Sequence, residues 1–254
     1  MQDIFFLFGD SITQHGYNQD RGFGWTAQLS EAYIRRLTVV NAGLSGYNSD
    51  QALIQLPALI PSPSHGVIRI MTVFFGANDS RLPDTIGTPQ HVPLDRYKEN
   101  LRKIVTHTLV RAHRPRIILI TSPPIDEELC EAHDLSNGID QVRRRAAVTR
   151  TYADAVKEVG KATDVVVFDL WSLFMERVGW KEGMPLAGEK STHASQQSGL
   201  PTLLRDGLHL TPDGNRIVFE GLLRLIQRTW PDQSPDSLDF TVPKWDDPRS
   251  WTNP

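Results

Sequence analysis

Five residues scattered along the sequence are of the types that acyl transfer requires. Ser11 carries a hydroxyl, and a serine oxygen is a weak nucleophile until a base takes its proton. Histidine is the side chain best suited to that task near neutral pH, and His209 supplies one. Asp206 stands three residues earlier, close enough within one turn to accept from the other ring nitrogen and fix its tautomer. The tetrahedral intermediate of such a reaction carries negative charge on oxygen and needs donors already aimed at it. The backbone N–H groups of Ser11 and Gly46 and the side-chain amide of Asn78 are the candidate donors. A residue without a side chain at 46 lets the backbone approach a substrate.

Each of these residues also has a plainer reading. Gly9-Asp10-Ser11 is good turn chemistry after a strand. Asp206 and His209 could be a cap and a surface histidine, and Asn78 and Asp79 could close a turn. The combination favours chemistry over four separate turns. Asp10 and Asp79 are expected in supporting roles, Asp79 by hydrogen bonds to nearby backbone. Ser45 is a second hydroxyl beside Gly46, but no base is assigned to it. The spacing of Gly22, Gly24 and Ala27 superficially matches a dinucleotide fingerprint, yet no strand directly precedes it and no acidic residue is suitably placed. His15, His91, His107, His113, His133 and His193 show no metal-ligand spacing and are expected at the surface or in packing. No metal site and no cofactor are expected. Cys130 reads as a partly buried, apolar-like residue near the pocket rim.

The elements that must position these residues alternate along the chain. Short apolar runs at 4–8, 39–40, 67–75, 116–121 and 165–168 read as strands. Near-continuous apolar strands of this kind suit a parallel sheet covered on both faces. Between them, Leu94, Tyr97, Leu101, Ile104, Val105 and Leu109 keep helical spacing. Val142, Ala146, Ala153 and Val156 do so more loosely, with Arg143, Arg144 and Arg145 expected on a solvated face. Ile217, Val218, Leu222, Leu225 and Ile226 form a last stripe, begun by a Thr211 cap and Pro212. This order predicts a three-layer α/β/α sandwich with right-handed crossovers. In such sheets function sits at the carboxyl ends of the strands, which is where Ser11, Gly46 and Asn78 fall. Residues 182–204 read as a long loop.

Composition narrows the classes. The chain has 254 residues, 27 Lys and Arg against 30 Asp and Glu, and one cysteine. That balance, with no basic block, argues against nucleic acid. One cysteine excludes an intramolecular disulfide and zinc sites built on several thiolates. The apolar run at 4–8 is too short for a secretory signal, and no segment approaches the ~20 apolar residues of a membrane helix. With the chain starting at Met1, a soluble cytoplasmic protein is expected, with no membrane partner. The division expected is a hydrolase domain at 1–230 and a Pro-, Asp- and Trp-rich tail at 231–254. Disordered tails seldom keep large aromatics, so Trp245 and Trp251 are expected to pin the tail to the body or to a second subunit.

The sequence resembles the SGNH, or GDSL, hydrolases. The resemblance rests on Phe8-Gly9-Asp10-Ser11-Ile12-Thr13, on Asn41-Ala42-Gly43-Leu44-Ser45-Gly46, on Gly76-Ala77-Asn78-Asp79 and on Asp206-Gly207-Leu208-His209. All four occur in family order, within residues 5 to about 226. A lone Gly-Asp-Ser is common by chance; the four together are specific. The resemblance implies a flavodoxin-like sheet of five parallel strands. It implies Ser11 as nucleophile, His209 as base, Asp206 as its orienter, and Ser11, Gly46 and Asn78 as the oxyanion hole. Gln14, Arg21-Gly22-Phe23-Gly24-Trp25, Tyr47-Asn48, Gln90-His91-Val92-Pro93, Tyr97, Asn100-Leu101, Thr121-Ser122-Pro123-Pro124 and Thr211 look like the isoamyl acetate-hydrolysing esterase branch. That branch implies an intracellular, metal-independent enzyme for short acyl esters, often a homodimer, with a small ester and water as its partners. Residues 182–204 depart from it in length and stand just before Asp206 and His209, where they can reshape the pocket. Lysophospholipase, thioesterase and carbohydrate acetylesterase activities share the fold. A catalytically silent interaction protein is the rival from another class, against which the intact Ser11, Asp206 and His209 speak.

Overall fold

The computed structural model describes residues 2–190 and 199–252. Five strands, β1 (Ile4–Gly9), β2 (Thr38–Gly43), β3 (Ile68–Phe74), β4 (Arg116–Ile120) and β5 (Val166–Phe168), form a parallel sheet in the order β2-β1-β3-β4-β5. The helices are α1 (Ser11–His15), α2 (Trp25–Ala32), α3 (Ser49–Leu59), α4 (Leu94–Thr106), α5 (Thr108–His113), α6 (Glu127–Ser136), α7 (Ala146–Thr163), α8 (Leu170–Arg177) and α9 (Pro212–Thr229).

Every residue of β1 is buried, and successive strand side chains face opposite ways. Phe5 and Leu7 join Trp25, Leu29, Val218 and Leu222 in one apolar core. Phe6 and Phe8 join Leu56, Leu101, Ile104 and Val156 in the other. The central strand is thus apolar throughout because helices cover both its faces. This is the three-layer sandwich expected from the sequence.

Register sets the site's floor. Gly9 pairs with Gly43 of β2 and with Phe74 of β3, so the three strands end on one line. The chain leaves β1 between neighbours that lie on opposite sides, the switch point at which open α/β sheets place their ligands. Local chemistry then turns each strand end. The Asp10 side chain accepts from the Ile12 N–H and caps α1. Asn48 and Gln51 form a reciprocal capping box on α3. Thr211 caps α9, with Pro212 in its first turn.

Three expectations need correction. The apolar spacing across 94–109 is two helices, because His107 leaves helical geometry and its ring caps α5. The arginines at 143–145 are not on a solvated helix face. They precede α7 and are half-buried, drawn in by Asp134 at 2.7 Å from Arg143 and Glu127 at 2.7 Å from Arg145. The tail does lie on the body, but not by its tryptophans: Trp245 and Trp251 are each 83% exposed. Phe240 holds it instead, within cation–π reach of Arg35 and Arg36, while the Tyr33 hydroxyl donates to Gln233 O. Of residues 182–204, those described form no strand and only a short 3-10 turn, Leu200–Thr202.

Candidate active site

The segment that carries Asp206 and His209 is a tight antiparallel turn. Leu204 bridges Leu210, and Arg205 N–H donates to His209 O. Asp206 Oδ1 accepts from the N–H groups of Leu208 and His209, at 3.1 and 2.7 Å. A side chain that bonds its own backbone two and three residues on is an Asx turn. Gly207 sits at φ +80, and a Cβ there would meet the Asp126 carbonyl at 2.4 Å. Only glycine fits that position. The sharp turn folds His209 back over Asp206.

Two contacts then complete the arrangement, the first joining residues 198 positions apart. Ser11 Oγ is 2.9 Å from His209 Nε2, and His209 Nδ1 is 2.7 Å from Asp206 Oδ2. Burial pushes the Asp206 carboxyl up. Hydrogen bonds from the His209 ring, its charge, and the backbone donors of His209 and Leu208 outweigh that and bring it down to about 2. Asp206 is therefore ionised through the neutral range, as an acceptor for Nδ1–H must be.

On the other side of Ser11 the loops after β2 and β3 meet. Gly46 lies at φ +82, a left-handed conformation that a side chain would strain. Asn78 Nδ2 donates to Tyr47 O at 2.9 Å, which clips the two loops together. Asp79 Oδ1 accepts from Ser49 N–H at 2.9 Å, and Gln90 Nε2 donates to Gly46 O at 2.8 Å. Among the described residues no acceptor is found for the backbone N–H of Ser11 or of Gly46, and both residues line the cleft. Ser11, Gly46, Asn78, Asp206 and His209 line a single cleft of about 190 Å³. Ser45 lines it too, its N–H held by the Gln14 side chain.

Asp10 and Asp79 are fully buried beneath this cleft and do not line it. Burial raises Asp10 to about 7, helped by Asp79 and opposed by the Ile12 N–H and the Arg144 charge. Burial likewise raises Asp79 to about 6.

Several residues reach the site without having been singled out for it. Gln90, His133, Arg143 and Arg144 line the cleft; Cys130, expected near the pocket rim, lines it as well. Burial pushes the Cys130 thiol up to about 12, so it is an inert part of the wall. His15 packs its ring edge-on to His209 with centroids 5.8 Å apart. Burial lowers its pKa, and the charges of His209 and Arg21 lower it further. The i, i+4 spacing from Ser11 on one helical turn was the available signal. His113 instead packs under β3, taking the Ile68 N–H, and His91 bonds Arg81 O. His193 lies outside the described residues. Among the described residues no group of His, Cys, Asp and Glu could hold a metal ion, and no helix is long and apolar enough to cross a membrane.

Residues 7–217 match the GDSL-like Lipase/Acylhydrolase family. The chain belongs to that family. Relatives of this GDSL hydrolase include the mouse isoamyl acetate-hydrolyzing esterase 1 homolog, 37% identical over 95% of this chain and 86% of the relative. An Arabidopsis thaliana GDSL esterase/lipase is 34% identical over 93% of this chain and 90% of its own. Solved structures share the fold of the GDSL hydrolase. The Enterococcus faecalis lipase/acylhydrolase superposes with a TM-score of 0.61 at 23% identity, covering 96% of this chain and all (100%) of that one. An acetylxylan esterase from Geobacillus stearothermophilus gives 0.60 at 23% identity, over 89% and 94%. The GDSL hydrolase is thus an esterase/acylhydrolase.

Proposed function

We propose that the enzyme hydrolyses short acyl esters, acetates of small alcohols such as isoamyl acetate, through an acyl-enzyme on Ser11. The observation that carries this reading is the continuous contact from Ser11 Oγ through the His209 ring to Asp206. His209 Nε2 takes the Ser11 proton as Oγ attacks the ester carbonyl. Asp206 holds Nδ1–H and balances the imidazolium that forms. The oxyanion is received by the N–H groups of Ser11 and Gly46 and by Asn78 Nδ2. His209 then gives its proton to the leaving alcohol, and water repeats the sequence on the acyl-enzyme.

The cleft's small volume and its polar lining by Ser45, Gln90, Asp134 and Arg143 support a short acyl group. A long chain needs a deeper apolar slot. The same polar walls also suit an acetylated sugar, the second reading. The exposed Trp245 and Trp251 support a homodimer that covers the tail.

The test is a series of p-nitrophenyl esters from acetyl to palmitoyl, with isoamyl acetate and acetylated xylose beside it. Rates are expected to fall steeply beyond butyryl, and Ser11→Ala to abolish them. A preference for palmitoyl would overturn the short-chain assignment; unchanged rates in Ser11→Ala would overturn the site.

A further inference from the structure

Two of three successive arginines, Arg143 and Arg144, line the cleft, and of the three only Arg143 and Arg145 have carboxylate partners. Arg143 pairs with Asp134, and Arg145 with Glu127 and Glu131. Among the described residues no carboxylate lies within ion-pair reach of Arg144, although it is half-buried. Carboxylates act on it only from beyond contact distance, Asp134 and the buried Asp10 among them. A guanidinium partly withdrawn from water without a direct ion pair costs stability, so a use for it is sought in what it touches. Its Nη1 donates to Ala77 O, and its Nη2 lies 3.5 Å from Asn78 Oδ1. Both acceptors belong to the loop after β3 that carries the candidate oxyanion donor.

We propose that Arg144 is a positioning residue for the hydrolysis: it holds the Asn78 carboxamide so that one Nδ2–H is presented to the oxyanion. This rests on the reading of Ser11, Gly46 and Asn78 given above. An amide has two donors on nitrogen and acceptor lone pairs on oxygen. Tyr47 O takes one Nδ2–H, and Arg144 faces Oδ1. Turning the amide by half a revolution would set Nδ2 against the guanidinium and Oδ1 against the Tyr47 carbonyl. Both contacts would then be repulsive. The pair leaves one orientation, with the second Nδ2–H free toward Ser11. A charged donor on Oδ1 also polarises the amide and strengthens the N–H it leaves free. The Nη1 donor on Ala77 O anchors the loop's backbone at the same time.

The experiment is a double-mutant cycle on the full chain with p-nitrophenyl acetate. Asn78→Ala alone is expected to lower kcat by about 10²–10³; a loss under about threefold would remove Asn78 from the oxyanion hole and defeat the site reading itself. Given that loss, Arg144→Met is expected to lower kcat by roughly 10-fold or more with KM little changed. In the Asn78→Ala background the same change should cost no more than about threefold, since its partner is already gone. An equal loss in both backgrounds, or an effect confined to KM, would overturn the positioning role. Thermal melting accompanies each variant. Should Arg144→Met fail to fold, Arg144→Lys replaces it in the cycle. Lysine keeps the charge but lacks the planar fork, so its kcat should also fall in the Asn78 background only. Wild-type kcat in Arg144→Lys would overturn the proposal.

Discussion

Asp10 shows how a motif residue can be indispensable to a site without touching substrate. One carboxylate oxygen caps α1 and so aims Ser11; the other, Oδ2, is buried with no hydrogen-bond partner. Asp79 repeats the arrangement, with Oδ1 on Ser49 N–H and Oδ2 unpartnered. An unfolded aspartate ionises near 3.9, whereas burial holds Asp10 to about 7. Between those values the unfolded chain has released a proton that the folded chain keeps. The contribution is therefore fully present below about pH 4 and is lost as the pH rises to about 7. Asp10→Asn is neutral throughout and can still accept from Ile12 N–H. Its stability relative to the wild type is expected to grow across that window by on the order of a few kcal/mol, then level off. Urea unfolding at pH 4, 5.5 and 7 measures it, and a difference independent of pH would rule the account out.

The elements divide their labour between placing the site and closing the fold. β1, β2 and β3 end in register, and their loops deliver Ser11, Gly46 and Asn78; the turn before α9 brings the Asp206–His209 pair from the far end of the chain. The tail does something different. From Gln233 to Pro243 it straps the turn between α2 and β2, with Thr241 N–H on Arg35 O and the Arg35 guanidinium on the carbonyls of Val242 and Pro243. Phe240 is the aromatic within reach of both Arg35 and Arg36. Phe240→Ala should cost about 1–2 kcal/mol in chemical denaturation, from two partly exposed cation–π contacts, with ester hydrolysis unaffected. An unchanged midpoint would show that the strap is held by backbone contacts alone.

At the scale of the molecule, the two cores explain why the active site cannot be divided between separate folding units. Phe5 and Leu7 of β1, the strand that leads into Ser11, pack in one core with Val218 and Leu222 of the helix that follows His209. The outward face of the tail is another matter. Trp245, Trp251 and Val242 are each exposed, an unusual use of large apolar side chains within one short stretch of surface chain. If a second copy covers them, the mass in solution is expected at twice 28.6 kDa. Trp245→Ser combined with Trp251→Ser should then shift it to the monomer, as read by light scattering. A wild-type monomer at micromolar concentration would dismiss the homodimer.

The sequence by itself determined the alternation of strands and helices, because apolar period and strand-end turn residues are local properties that the fold preserves. It also marked Ser11, Gly46, Asn78, Asp206 and His209, since each stands in a short motif with its own local constraint: a cap, a left-handed glycine, an Asx turn. Tertiary structure alone decided what surrounds them. Arg144 reads as one charge in a run of three; its place against Asn78 follows from where Asp134 and Glu127 draw its neighbours, across different elements. The tryptophans of the tail read as anchors to the body or to a second subunit; on the body Phe240 takes that role, because two arginines of a distant turn reach it. Periodicity and capping act over a few residues, whereas the pairing of charges and rings depends on which surfaces the packed sheet brings together.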